Sequence, residues 1–118
     1  MSTYTGGVLF DGTLVSATPG AETTLYTASG SIAPDCVSIK NVSATTSCAL
    51  TVWVVPSGGA ATSPIDANMI FGPALNLPPK WEKNIADLIK RLDNGDKIVA
   101  LAGAANMITM RGTGVAAT

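Results

Sequence analysis

Apolar and polar positions alternate most cleanly from Ala49 to Val55, where Leu50, Val52 and Val54 make one wholly apolar row and Thr51, Trp53 and Val55 a mixed one. A period of two sends successive side chains to opposite faces of a strand, so the pure row is expected to face the core. Trp53 then stands on the outer face, where a large ring serves either as an interface anchor or as the centre of a second packed layer. The pattern leaves both readings open. Val37 with Ile39, Ile98 with Ala100, and Ile108 with Met110 repeat the alternation. Four segments thus agree on one core.

Turn signals separate these segments. Residues 1–21 are rich in Gly, Thr, Ser and Ala, with apolar clusters at Val8-Leu9-Phe10 and Leu14-Val15 before Thr18-Pro19-Gly20, and predict an N-terminal arm or first strand. From residue 22 the spacing becomes regular: Leu25-Tyr26-Thr27, Val37 to Val42, the polar loop Ser43 to Thr46, Leu50 to Val55, and Pro56-Ser57-Gly58-Gly59. Short strands with frequent turns predict a sandwich or barrel. Gly72, Pro73, Pro78 and Pro79 bound Ala67 to Phe71, which holds only a brief or edge strand. Trp81, Ile85, Leu88, Ile89 and Leu92 have helical spacing, and Asn84 is placed as a cap. Because Pro78-Pro79 precede a short segment, we expect a strand at Trp81 to Ile85 and one helical turn through Ala86 to Leu92. Asp93-Asn94-Gly95-Asp96 predicts a tight turn into a strand at Lys97 to Ala102.

The loop Ser43 to Thr46 is expected to join two hairpin strands, one bearing Cys36 and the other Cys48. In that register Cys48 faces Asn41, leaving Cys36 roughly 17 Å away along the strand, well beyond the ~7 Å Cα limit of a disulfide. Two reduced thiols are expected, which suits a reducing cytoplasm. Met1 to Gly7 carries no basic residue and leads into no long apolar run, so no secretory signal and no membrane span are expected.

Charge and composition narrow the function. The 118 residues make one domain, and a net charge of -1 lacks the footprint of a nucleic-acid binder. No histidine is present, which removes the commonest general base and metal ligand. Charged residues are 13% of the chain against ~25% in an ordinary soluble domain. Nine of the fifteen lie between Lys80 and Lys97, Lys90 among them. Elsewhere the coat is Thr, Ser, Ala, Gly and Asn, short side chains that lose little entropy when another surface covers them.

Candidate chemistry is thin. Asp93, Asn94 and Asp96 resemble the opening of a calcium loop, but the glycine is misplaced and no closing glutamate follows. Ser57-Gly58-Gly59 lacks the Gly-Lys-Ser/Thr of a phosphate cradle. Glu82 and Asp87 lie among Lys80, Lys83, Lys90 and Arg91, which favour ionised carboxylates over an acid-base pair. Asn41-Val42-Ser43 matches a glycosylation acceptor in form only. Neither catalytic nor metal-binding nor cofactor-binding residues are expected.

From Leu25 to Gly114 the chain resembles a family of small structural proteins of tailed bacteriophage virions. The resemblance rests on Leu25-Tyr26-Thr27, on Val37-Ser38-Ile39-Lys40-Asn41-Val42-Ser43, on Leu50-Thr51-Val52-Trp53-Val54-Val55-Pro56-Ser57-Gly58-Gly59, on Leu92-Asp93-Asn94-Gly95-Asp96-Lys97-Ile98, and on Ile108-Thr109-Met110-Arg111-Gly112. Two departures stand out: Arg111 occupies a position more usually Ser, and the Gly-rich N-terminal extension has no family counterpart. The resemblance implies an all-β, two-sheet antiparallel sandwich, jelly-roll-like, over residues 22–118. It also implies a non-enzymatic capsid decoration (cement) protein on the virion exterior, assembled in the host bacterial cytoplasm. Its expected partners are the major capsid protein and copies of itself. Phe10, Leu14 and Trp53 are the expected contact anchors, with Trp81 a further interface candidate and residues 1–21 an arm ordering on a neighbour. The alternatives are a neck or tail component (collar, fibre-base or spike), and a carbohydrate-binding module stacking sugars on Trp53 or Trp81.

Overall fold

A computed structural model of the chain describes residues 4–18, 20–60, 62, 64, 66–89 and 91–117. Pro19 of the first turn signal and Lys90 of the charged stretch lie outside the described residues. Eight strands form among them: β1 (Tyr4–Leu14), β2 (Thr23–Thr27), β3 (Ile32–Asn41), β4 (Cys48–Val55), β5 (Met69–Leu77), β6 (Glu82–Asn84), β7 (Lys97–Ala102) and β8 (Ile108–Ala117). Two 3-10 turns accompany them, Asp66–Asn68 and Ala86–Leu88. The strands build two four-stranded antiparallel sheets, ordered β1-β8-β3-β6 and β2-β7-β4-β5. Along the chain only the step from β4 to β5 stays within a sheet; every other connection crosses the sandwich. This is the order of an eight-stranded jelly roll: a long hairpin wrapped over, with β1 beside β8, β2 beside β7, β3 beside β6 and β4 beside β5.

The core follows the expected alternation. Val37 and Ile39 of β3 with Ile108 and Met110 of β8 meet Leu50 and Val52 of β4 and Ile98, Ala100 and Ala102 of β7. Burying a Val, Leu or Ile side chain stabilises the fold by roughly 1.5–3 kcal/mol each before conformational entropy is charged against it. The segment after β6 closes one end with Ile85, Ile89 and Leu92. Its helical spacing yields a single 3-10 turn, because Leu92 exchanges backbone hydrogen bonds of 2.8 Å with Ile32 and is thereby held extended. Leu88 consequently points out and is exposed.

Three expectations need correction. First, β3 and β4 do not form a hairpin; they belong to different sheets. The polar loop between them crosses the sandwich around Asn41, which is fully buried. The Asn41 Nδ2 donates to Thr46 O at 2.9 Å and Leu77 O at 3.0 Å, while Oδ1 accepts from the Ser43 N–H at 3.0 Å. One carboxamide thus satisfies both strands of the turn and the end of β5. Cys36 and Cys48 are both free thiols, although the hairpin register used to separate them does not exist.

Second, β5 is an edge strand, one of the two readings of its segment, but it is not brief: it runs on through Gly72 and Pro73 to Leu77. A bulge makes this possible: Val52 faces Phe71 and Leu50 faces Leu75, so Gly72, Pro73 and Ala74 together oppose Thr51. Thr51 Oγ1 accepts from the Ala74 N–H at 2.8 Å, replacing the ladder bond that the bulge displaces. Third, of the arm and the first strand expected within residues 1–21, the structure shows a strand over residues 4–14, which pairs with β8 from Tyr4↔Ala117 to Leu14↔Thr109 and so does not await a neighbour to order it. In that ladder Phe10 stands opposite Gly112, where a Cβ would lie 2.5 Å from Phe10 Cε1. The missing side chain is the seat of the ring.

Two substitutions test these contacts. Gly112→Ala should cost about 1–3 kcal/mol by overpacking. Combining it with Phe10→Leu should be non-additive by more than ~0.5 kcal/mol in a denaturant double-mutant cycle, and additivity would mean the ring and the glycine are independent. Asn41→Ala should lower stability by about 2–4 kcal/mol, because it leaves buried backbone groups unpaired. A loss under ~1 kcal/mol would show that water replaces the carboxamide.

Candidate interaction surface

The four expected contact residues fall in different environments. Phe10, at 7% exposure, belongs to the core. Trp53, also at 7%, lies on the outer side of β4 with Val55 and Val99, packed against Met69 and Leu101. Of the two readings of Trp53, the structure shows the packed layer within the domain: the chain between β4 and β5 folds back so that the turn Asp66–Asn68 touches β4. The indole Nε1 is buried without a hydrogen-bond partner among the described residues. Trp53 therefore offers no open ring face to a sugar. Trp81 is half-buried against the main core. Leu14 is 49% exposed at the end of β1 and is the one of the four with substantial free surface.

The outer faces of the two sheets differ in charge. Strands of the β1-β8-β3-β6 sheet carry Asp11, Asp35, Lys40, Glu82, Lys83 and Arg111. Arg111 Nε and Asp11 Oδ1 lie 3.3 Å apart, both exposed, and Thr113 Oγ1 donates to Asp35. Ser38, Lys40, Glu82, Thr109, Met110 and Arg111 line a polar hollow of about 150 Å³ on this side. Solvated pairs of this kind contribute ~0–1 kcal/mol each, so the face is one that stays in water.

In the four strands of the other sheet the sole charged residue is Lys97, at the first position of β7. One end of that sheet's outer face is covered by the Trp53 layer. At the open end Ala49, Thr51, Ala74, Leu101 and Gly103 surround an apolar hollow of about 100 Å³. The register explains the grouping, because Thr51 faces Leu101 and the Gly103 N–H donates to Ala49 O at 2.8 Å. Leu75, although exposed, pairs with the core residue Leu50 and so lies on the inner side at the sheet edge, away from this hollow. Both hollows are smaller than the ~300–1,000 Å³ of small-molecule sites, and the apolar one suits a single aliphatic side chain from a partner.

The polar side chains that resembled a calcium loop are occupied by the fold. In the turn before β7, Asp96 Oδ2 accepts from the Asp93 N–H at 2.9 Å and Oδ1 from the Ser57 N–H at 3.0 Å, while Asn94 Oδ1 accepts from the Gly30 N–H at 2.9 Å. Gly95 has φ +89, and a Cβ there would meet Ser57 Oγ at 2.6 Å. These side chains knit three loops together rather than converge on an ion. Among the described residues no cluster of three or more His, Cys, Asp or Glu is placed to hold a metal. Asn41, buried with its amide nitrogen engaged twice, is closed to glycosylation.

Compared with family models, with curated proteins and with solved structures, the chain finds no match in any of the three. The open apolar end escapes sequence reasoning because its residues are small and scattered over three strands. The signal that locates it is the scarcity of charge in one sheet, and that is visible only once strands are assigned to sheets.

The placement of β1 changes what N-terminal truncation does. Deleting residues 1–12 removes Phe10 and most of an edge strand, so the domain should lose at least ~3–5 kcal/mol and melt at a clearly lower temperature. A truncated chain with the full-length melting temperature would return β1 to the status of an accessory arm.

Proposed function

We propose that this chain is a non-enzymatic structural subunit of a tailed-phage particle, a capsid decoration protein lying on the shell of major capsid protein. The observation that carries the reading is the segregation of charge: one outer face is polar and ion-paired, whereas the other has an open apolar end and a single strand-borne cation at its far margin. The sequence resemblance supplies the phage context, and the jelly roll is a fold that serves in viral capsids as well as in lectins.

The mechanism is burial. Laying uncharged side chains on a neighbour avoids the desolvation cost of charge and needs little rotamer ordering. A protein that binds the assembled shell but not free capsid subunits stabilises the shell by mass action, as any native-state ligand does. With Phe10 and Trp53 committed to internal packing, the contact passes to Ala49, Thr51, Ala74, Leu101 and Gly103, whereas Leu14, opposite the outward-facing Thr109, belongs to the other face. The polar face would then look outward.

Ala74 offers a clean test, since it is exposed at φ 46, a conformation that Asp tolerates better than Ala. Ala74→Asp should leave the melting temperature within a few degrees, and should cut the copies bound per purified particle at least ~10-fold if it costs ~1.4 kcal/mol of contact. Absence of the wild-type chain from purified particles sinks the proposal. A count of hundreds per particle fits the head, whereas a few dozen or fewer moves the same subunit to the neck or tail.

A further inference from the structure

A sandwich of two open sheets has four edges, and each presents unpaired N–H and C=O groups that template a further strand unless guarded. Here the edges are β1, β6, β2 and β5. The β6 edge is three residues long and bears Glu82 and Lys83; β2 is five residues long. The β5 edge carries Pro73, which has no N–H, within the bulge opposite Thr51. Shortness, charge, proline and bulge are the usual guards, and these three edges have them.

The β1 edge is different. It is eleven residues long, has no proline or lysine, and pairs regularly with β8 from Tyr4 to Val8 before its first register shift. Val8 is 69% exposed and Leu14 49%, the two most exposed large apolar residues of the described chain. Its sole charge, Asp11, is already paired within the chain by Arg111. A Cβ built on Gly7 meets nothing within 4 Å among the described residues, so there is room over that position for a side chain of another copy.

We propose that β1 is a self-association edge: it pairs antiparallel with β1 of a second copy about a two-fold axis at Gly7, joining the two β1-β8-β3-β6 sheets into one. A second copy is the occupant the strand fits. Antiparallel self-pairing is isologous and needs no complementary charge, which a neutral Gly-rich strand lacks. In this register Val8 lies opposite Gly6 of the other copy and covers a glycine, as Phe10 covers Gly112 within the chain. The two Asp11 residues stand about eight residue steps apart, ~27 Å, well beyond the ~8–10 Å screening length, so they do not oppose the pair. The proposal does not require the capsid reading, since among the described residues no strand pairs with that edge.

The test uses the full-length chain. Light scattering over a concentration series should show a reversible monomer-dimer equilibrium. Val8→Lys, a guard of the kind seen on other edges, should raise the dissociation constant at least tenfold without changing the melting temperature. Gly7→Cys in a Cys36→Ser background places one thiol directly opposite its copy, where antiparallel Cα spacing of ~4.5–5.5 Å falls within disulfide range. Mild oxidation should then give covalent dimer in high yield, with little from the Cys36→Ser chain alone. A wild-type chain that stays monomeric overturns the proposal, and so does an oligomer that survives Val8→Lys unchanged while Gly7→Cys fails to cross-link.

Discussion

The Asn41 side chain fixes how the chain changes sheets. A jelly roll forces nearly every connection across the sandwich, so backbone groups at the crossings are turned toward the interior, where water does not reach them. At the passage from β3 to β4 one fully buried carboxamide holds Thr46 O, Leu77 O and the Ser43 N–H together. An apolar residue of the same size would leave three polar groups unpaired, and a carboxylate would face two carbonyl oxygens with nothing to donate. Once this crossing is fixed, β4 lies opposite β3 rather than beside it, and β5 ends where β4 begins. The half-buried Trp81 also belongs here, since its carbonyl accepts the Asn41 backbone N–H at 2.9 Å.

That arrangement separates the two outer faces. Along β3 and β8 the outward positions Ser38, Lys40, Thr109 and Arg111 form a polar, partly ion-paired surface. On the opposite sheet the outward positions of β4 and β7 are Ala49, Thr51, Trp53, Val55, Lys97, Val99 and Leu101, with Gly103 just beyond β7, and half of this row is already roofed by the chain's own return toward β5. The fold spends its large aromatic residues on internal layers and leaves small ones at the open end. A contact made of small residues gains less area per side chain, but it sacrifices almost no rotamer freedom.

Much of the fold was legible in the pattern of residues. The period-two rows at Leu50-Val52, Val37-Ile39, Ile98-Ala100 and Ile108-Met110 identified the core, because alternation is a local property of a strand. The Asp93-Asn94-Gly95-Asp96 turn was legible for the same reason. Sheet membership was not, since it depends on what pairs with what across nearly the whole chain, as Tyr4 with Ala117 illustrates. The hairpin expected around Ser43 to Thr46 failed on this point. Phe10 in a Gly-rich segment resembled an exposed anchor, because its partner, the vacant space over Gly112, lies a hundred residues away. Trp53 was read onto the correct face, but the chain that covers it has no period and gave no signal. The expected contact residues were therefore the large ones, while the surface left open is built from residues too small to attract notice.

The two proposed contacts are compatible in a way neither implies alone. A two-fold axis perpendicular to a sheet carries each strand's inner side chains to the same side in both copies, and pairing Gly7 with Gly7 is a register of that kind. The joined sheets then keep both sandwiches on one side of the combined layer, with both charge-poor outer faces directed the same way. Two weak face contacts held rigidly in parallel bind far more tightly to a repetitive surface than to an isolated subunit, because the second engages at high effective concentration. On the proposed reading, a small domain with few charges and a shallow apolar hollow would thereby gain selectivity for an assembled lattice, without needing a contact strong enough to capture free subunits.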